Sequence, residues 1–214
     1  LSGQGLVPNY RAIVKQSGPA VVGVTVQGMH KASLEEQGLP PGAENDPFFQ
    51  FFRGIPGLGQ RSRGANPSVP FRGQGSGFII SPDGYVMTNA HVLDGASEVL
   101  VTLVDKREFK ARIIGVDDRS DVALLKIEAA TLPAVKIGDV GRLRVGEWVL
   151  AIGSPFGLDS TVTAGIVSAK QRETGSDIAF LQTDVAAKPG HSGGPLNDPR
   201  GDEIEITSQI VRPL

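Results

Sequence analysis

From residue 77 to residue 210 short runs rich in valine, isoleucine and threonine alternate with clusters of glycine, proline, aspartate or asparagine, without an internal sequence repeat. Such runs occupy 77–80, 85–89, 98–103, 109–117, 123–127, 147–152, 161–170, 180–183 and 204–210. Branched side chains suit a pleated, half-buried surface, and the residues between them suit turns. Ser81-Pro82-Asp83-Gly84 carries the Asp-Gly pair of a hairpin. This spacing predicts an all-β barrel or sandwich rather than a helical fold. The 28 glycines and 15 prolines among 214 residues argue against long helices as well. A chain of this length suits one large domain or two small barrels.

One helix is expected, over 8–16. Asn9 is its N-cap, Tyr10, Ile13 and Val14 share a face, and Gly18-Pro19 stops it. A first strand follows at 20–26. From 27 to 73 the pattern dissolves into glycine and proline around one aromatic cluster, Phe48, Phe49, Phe51 and Phe52. A patternless stretch of that length is either a tether or a functional loop. Four clustered phenylalanines favour a partner, because together in water they form an apolar patch.

Composition closes off several functions. The net charge is −2, from 21 basic and 23 acidic residues, so no nucleic-acid partner is expected. No apolar run reaches bilayer-spanning length, so no integral membrane segment is expected. The absence of cysteine removes disulfides, thiol catalysis and thiolate-bound zinc. The three histidines are widely spaced and lack neighbouring ligands, so no metal is expected, and the serine chemistry considered next needs no cofactor.

The chemistry points instead to Lys188-Pro189-Gly190-His191-Ser192-Gly193-Gly194-Pro195-Leu196. Glycines around a serine let backbone N–H groups crowd toward a developing negative charge. A serine hydroxyl needs a base, and the base needs an orienting group. His91 lies just past a strand, and histidine is the usual general base near neutral pH. Asp121 leads directly into the apolar run Val122-Ala123-Leu124-Leu125, which separates it from the ordinary turn residues Asp117 and Asp118. The order His, Asp, Ser is one of the known chain orders for nucleophilic serine catalysis.

Thr88-Asn89-Ala90-His91-Val92, Asp121-Val122-Ala123-Leu124-Leu125 and Gly190-His191-Ser192-Gly193-Gly194-Pro195 resemble the three catalytic blocks of chymotrypsin-fold serine proteases. More narrowly, the chain resembles the Deg/HtrA family of bacterial quality-control proteases. Gly75–Ile80, Ala151–Gly157, Thr163–Ser168 and Gln182–Ala186 support that likeness, which runs from about Val7 to Ile210. The resemblance implies a chymotrypsin-like double β-barrel, two six-stranded antiparallel barrels with a short N-terminal helix. Barrel one would cover about 20–128 with a regulatory loop at 27–73, a connector 129–140, and barrel two 141–214.

By the same resemblance His91, Asp121 and Ser192 form the triad, and the N–H groups of Gly190 and Ser192, with His191, the oxyanion hole. Ala186 floors the primary specificity pocket and selects small or aliphatic residues. Ser208, Gln209 and Ile210 pair with the substrate backbone as an added strand. Phe48, Phe49, Phe51 and Phe52 belong to a regulatory loop reaching a neighbouring subunit. Val7, Pro8 and Tyr10 build trimer contacts, with packing inside the chain as the competing reading. The implied protein is a periplasmic endopeptidase acting on unfolded or misfolded proteins as a homotrimer or an assembly of trimers. The alternative is a peptide-binding chaperone or pseudoprotease with little hydrolysis, and a third class is a structural all-β interaction module.

The chain departs from the family in two places and stops short of it in a third. His191 stands where the family has asparagine, with its side chain expected to face away from the triad. Glu205 stands where the family has glycine, in a strand behind the nucleophile; an unpaired buried carboxylate is costly there, so either the strand is displaced or this end of the chain is not fully native. The family's one or two PDZ domains are not expected within a sequence that stops at Leu214.

Overall fold

The structure, a computed structural model, describes residues 8–31, 68–154, 160–173, 179–186 and 191–207. By internal contacts the chain divides into Leu1–Gln27 with Arg72–Leu214, and Gly28–Phe71. Of the second unit, only the strand ends 28–31 and 68–71 are described.

Helix α1 (Tyr10–Ser17) starts where its cap predicts: Ala12 N–H donates to Asn9 Oδ1 at 3.1 Å. Its apolar stripe buries Ile13 in a cluster with Val21, Leu150 and Ile152, with Tyr10 and Val14 packed alongside. Tyr10 also meets Trp148 edge-on, with ring centroids 6.0 Å apart. Tyr10 thus packs within the chain.

Six strands follow: β1 (Val21–Lys31), β2 (Ser68–Ser81), β3 (Tyr85–Thr88), β4 (Ala96–Thr102), β5 (Glu108–Asp117) and β6 (Val122–Ile127). They close into a barrel in the order β1-β2-β3-β6-β5-β4. Inward residues such as Val24, Phe78, Val86, Val101, Leu125 and Ile127 are buried almost completely. In β6 the alternation is regular, with Ala123, Leu125 and Ile127 inside and their neighbours half-buried. The Asp-Gly hairpin joins β2 to β3, closed by Gly84 N–H to the Ser81 carbonyl at 3.1 Å.

The second half contributes β7 (Trp148–Gly153), β8 (Thr161–Glu173), β9 (Ala179–Thr183), β10 (Pro195–Asn197) and β11 (Glu203–Ile206). Their order is β11-β10-β7-β8-β9. Leu143, Val149, Ala151, Val167, Leu196 and Ile204 form its core, with Leu181 and Val185 against them. The all-β class with one short N-terminal helix is thus as expected. Among the described residues this half has five strands, where the resemblance implied six.

Two further differences have local causes. β10 is only three residues, begins with proline and is buried throughout, so it shows no alternation to read. The stretch 27–73 is strand at both ends, because β1 continues to Lys31 and β2 begins at Ser68. Its strand residues include Pro70 and Gly73, which read as turn formers in isolation. Phe48, Phe49, Phe51 and Phe52 lie outside the described residues.

Candidate active site

The ladder between β3 and β6 ends with Thr88 opposite Ala123. Because the strands are antiparallel, the residues just after β3 and just before β6 emerge at the same end of the barrel. Asp121 occupies that junction in a left-handed conformation, φ 56°, which aspartate tolerates better than most residues. Its carbonyl accepts Ala90 N–H at 3.2 Å and Asn89 Nδ2 at 2.8 Å. Its carboxylate accepts His91 N–H at 2.9 Å and faces the ring Nδ1 at 2.8 Å and 3.0 Å. Since an ionised carboxylate only accepts, Nδ1 carries the proton, and in the neutral ring Nε2 is left as the acceptor. The His91 side chain is 47% exposed, so that nitrogen is accessible.

Ser192 arrives from the second half on a tightly tied turn. Its carbonyl accepts Ser76 N–H at 2.8 Å. Gly193 N–H donates to the Thr207 carbonyl, Thr207 N–H to that of Gly194, and Gly194 N–H to that of His191. Gly193 has φ 88°, and a Cβ there would meet the Ser76 carbonyl oxygen, Thr88 Oγ1 and Asn89 N. Only glycine satisfies both demands. A Cβ on Gly75 would lie 2.8 Å from Val92 and 3.1 Å from the Ser192 carbonyl oxygen. The bare backbone of Gly75-Ser76 therefore separates the His91 turn from the Ser192 turn by one strand's thickness. Among the described residues no hydrogen bond joins His91 to Ser192.

His191 is buried, with Nε2 2.7 Å from Thr161 Oγ1. Its ring therefore points toward the start of β8, not toward the carboxylate of Asp121. Of the two alternatives for Glu205, the structure does not show a displaced strand. The residue lies in β11 opposite Leu196, is partly buried, and accepts the Leu181 backbone N–H. Glu203 is the more deeply buried of the two. Burial first, and then the charge of Glu205, push Glu203 up to about 7, against a hydrogen bond from the Glu205 backbone. Burial alone raises Glu205 to about 7, opposed by the Leu181 N–H.

Ala186 lies exposed just past β9. Gly190, Ser208, Gln209, Ile210 and Val7 lie outside the described residues. An open depression of about 400 Å³, lined by Arg142, Arg144, Glu147, Asp198, Pro199 and Arg200, shares no residue with this site. No group of side chains suited to holding a metal occurs among the described residues, and none of their helices is long and apolar enough to cross a membrane. Sequence reasoning quoted Thr88 and Asn89 without giving them roles, and it missed Thr161. The only signal was their place in or beside the quoted blocks, since each contact is long-range.

A family profile described as a trypsin-like peptidase domain matches residues 75–204, a range that includes His91, Asp121, Thr161, His191 and Ser192. The chain belongs to the trypsin-like peptidase family. Within the trypsin-like peptidases its likeness runs to DegP-like and HtrA-type members. It is 50% identical over 216 residues to a probable periplasmic serine endoprotease DegP-like of Ectopseudomonas mendocina, covering 98% of this chain and 45% of that protein. The counterpart from Pseudomonas savastanoi pv. phaseolicola is 49% identical, covering 95% and 44%. Among solved structures, a variant of the HtrA-type protease AlgW with a decapeptide superposes with a TM-score of 0.78 at 35% identity, covering 95% of this chain and 59% of that one. AlgW itself with a decapeptide gives 0.71 at 32% identity, covering 95% and 60%. The chain spans less than half the length of these curated relatives.

Proposed function

We propose that the chain is a serine endopeptidase in which His91, Asp121 and Ser192 carry out acyl transfer. The observation that carries this reading is the double grip of Asp121 on His91, beside the turn that bears Ser192. Ser192 Oγ attacks the scissile carbonyl while His91 Nε2 takes its proton. Asp121 holds the ring and stabilises the imidazolium. The same proton passes to the leaving amine; water, deprotonated by His91, then attacks the acyl carbon, and that proton returns to Ser192 Oγ as its bond to the acyl group breaks. Backbone N–H groups of Gly190 and Ser192, with His191, would face the oxyanion.

The relatives' names, periplasmic serine endoprotease, support a periplasmic location and protein substrates. We extend this to unfolded or misfolded chains and a homotrimeric or larger assembly. Ala186 would favour small or aliphatic residues before the scissile bond, and Ser208, Gln209 and Ile210 would pair with substrate backbone. The test is digestion of casein by the purified protein and by Ser192→Ala. Cleavage lost in the variant supports the assignment, and equal cleavage by both sinks it.

A second reading, a chaperone that binds peptides without cleaving them, is favoured by one observation: His91 and Ser192 are not hydrogen-bonded. Such bonds often tighten only once substrate is bound. Binding of reduced casein without cleavage by the unmodified protein would favour this reading.

A further inference from the structure

We infer that His191 is a positioning residue for Ser192, acting through Thr161; this rests on Ser192 being the nucleophile. The His191 residue is 1% exposed and directly precedes Ser192, which is itself buried at 9% exposure. Its Nε2 lies 2.7 Å from Thr161 Oγ1, and that hydroxyl also lies 3.4 Å from the Gly153 carbonyl. Gly153 and Thr161 are the last cross-strand pair of β7 and β8. The ring is thus moored where that ladder ends. A Cβ on Gly153 would stand 2.8 Å from His191 Cδ2, so the imidazole occupies space that a side chain would otherwise fill. A relay from Nε2–H to Thr161 Oγ1, and from Oγ1–H to the Gly153 carbonyl, satisfies all three groups and assigns the proton to Nε2.

The mooring matters because of the peptide plane that follows. The His191 carbonyl accepts Gly194 N–H at 2.9 Å, so it points into the turn. In a trans peptide the next N–H points the opposite way. The Ser192 N–H therefore projects outward, as a donor to an oxyanion must. Side chain and carbonyl together fix both ends of residue 191, and with them the direction of that N–H. Freeing the ring removes the mooring at that end, and the plane can turn without breaking the barrel or the second sheet.

The test measures Ser192 labelling by a fluorophosphonate together with kcat and KM on a peptide with valine before the scissile bond. Thr161→Val removes the hydroxyl at similar size, and Thr161→Ser restores it. Thr161→Val should lower both the labelling rate and kcat about tenfold, equivalent to about 1.4 kcal/mol of transition-state stabilisation. KM should stay within about twofold, and Thr161→Ser should recover most of the rate. In a His191→Phe background, which keeps a ring but no nitrogen, Thr161→Val should have less than about a twofold further effect. Equal labelling of the parent and Thr161→Val overturns the inference while leaving the nucleophile assignment standing. A full Thr161→Val effect in the His191→Phe background overturns it too. A parent that is folded but does not label overturns both assignments.

Discussion

Asp121 holds His91 at two points, taking its backbone N–H at 2.9 Å and its ring Nδ1 at 2.8 Å. One carboxylate thus fixes the position of the residue and the tautomer of its ring. The same aspartate's carbonyl binds Asn89 and Ala90, so three consecutive residues are tied to a single partner.

Asp121→Asn should keep the fold, because asparagine also tolerates the left-handed backbone. Its amide can donate to Nδ1, which favours the wrong tautomer. A fall in kcat on the order of 10³- to 10⁴-fold is expected, as in the serine-protease template. Steady-state kinetics beside a melting curve checks it, and a loss of less than tenfold would remove Asp121 from the mechanism.

Gly193→Ala puts a methyl group into the Ser76 carbonyl at φ 88°. Backbone strain and overpacking together should cost about 2–4 kcal/mol. Urea denaturation measures this, and an unchanged midpoint would mean the turn is looser than described.

Asn89→Ala deletes the amide that holds the Asp121 carbonyl at 2.8 Å, from a side chain with no exposure. A loss of about 1–3 kcal/mol is expected. Catalysis should fall beyond the loss of folded protein, since Asp121 loses a support. Activity per folded molecule, compared with the parent, is the readout.

Glu203 and Glu205 give a pH dependence of definite sign. Their ordinary value is 4.5 and in the folded chain each is pushed up to about 7, so the native state holds protons that the unfolded chain has released. Their contribution is complete below about pH 4.5 and is lost as pH rises through about 7. Denaturant midpoints at about pH 5 and pH 8 should differ in that direction. Glu205→Gln should shrink the difference, because it removes one titrating group and the charge acting on Glu203. A difference unaltered in the variant would place the titration elsewhere.

The fold was legible where a strand is long enough to alternate, as in β6, or is bounded by turn chemistry, as at Asp83-Gly84. β10 was not, since a buried three-residue strand has no period. In β2, Gly73, Gly75 and Gly77 look like turn residues, yet a Cβ at each would strike Val26, Val92 or Met87. Their absence of side chains serves close packing. For the site, residue type and order were enough to mark His91, Asp121 and Ser192 as candidates, of which the structure pairs the first two. The supporting contacts were hidden, because Thr161 meets His191 across 30 residues of chain. Attention to Glu205 missed that Glu203 is buried deeper. Its backbone is enclosed by Lys136 and Gly138, whose approach no local pattern announces.

His91 and Asp121 stand on one barrel, while Ser192 stands on the other half. In the proposed triad, proton handling and bond making would therefore rest on separate foundations, aligned along the narrow ledge of Gly75 and Ser76. A slip of an ångström along that ledge would idle the chemistry while both foundations stayed folded.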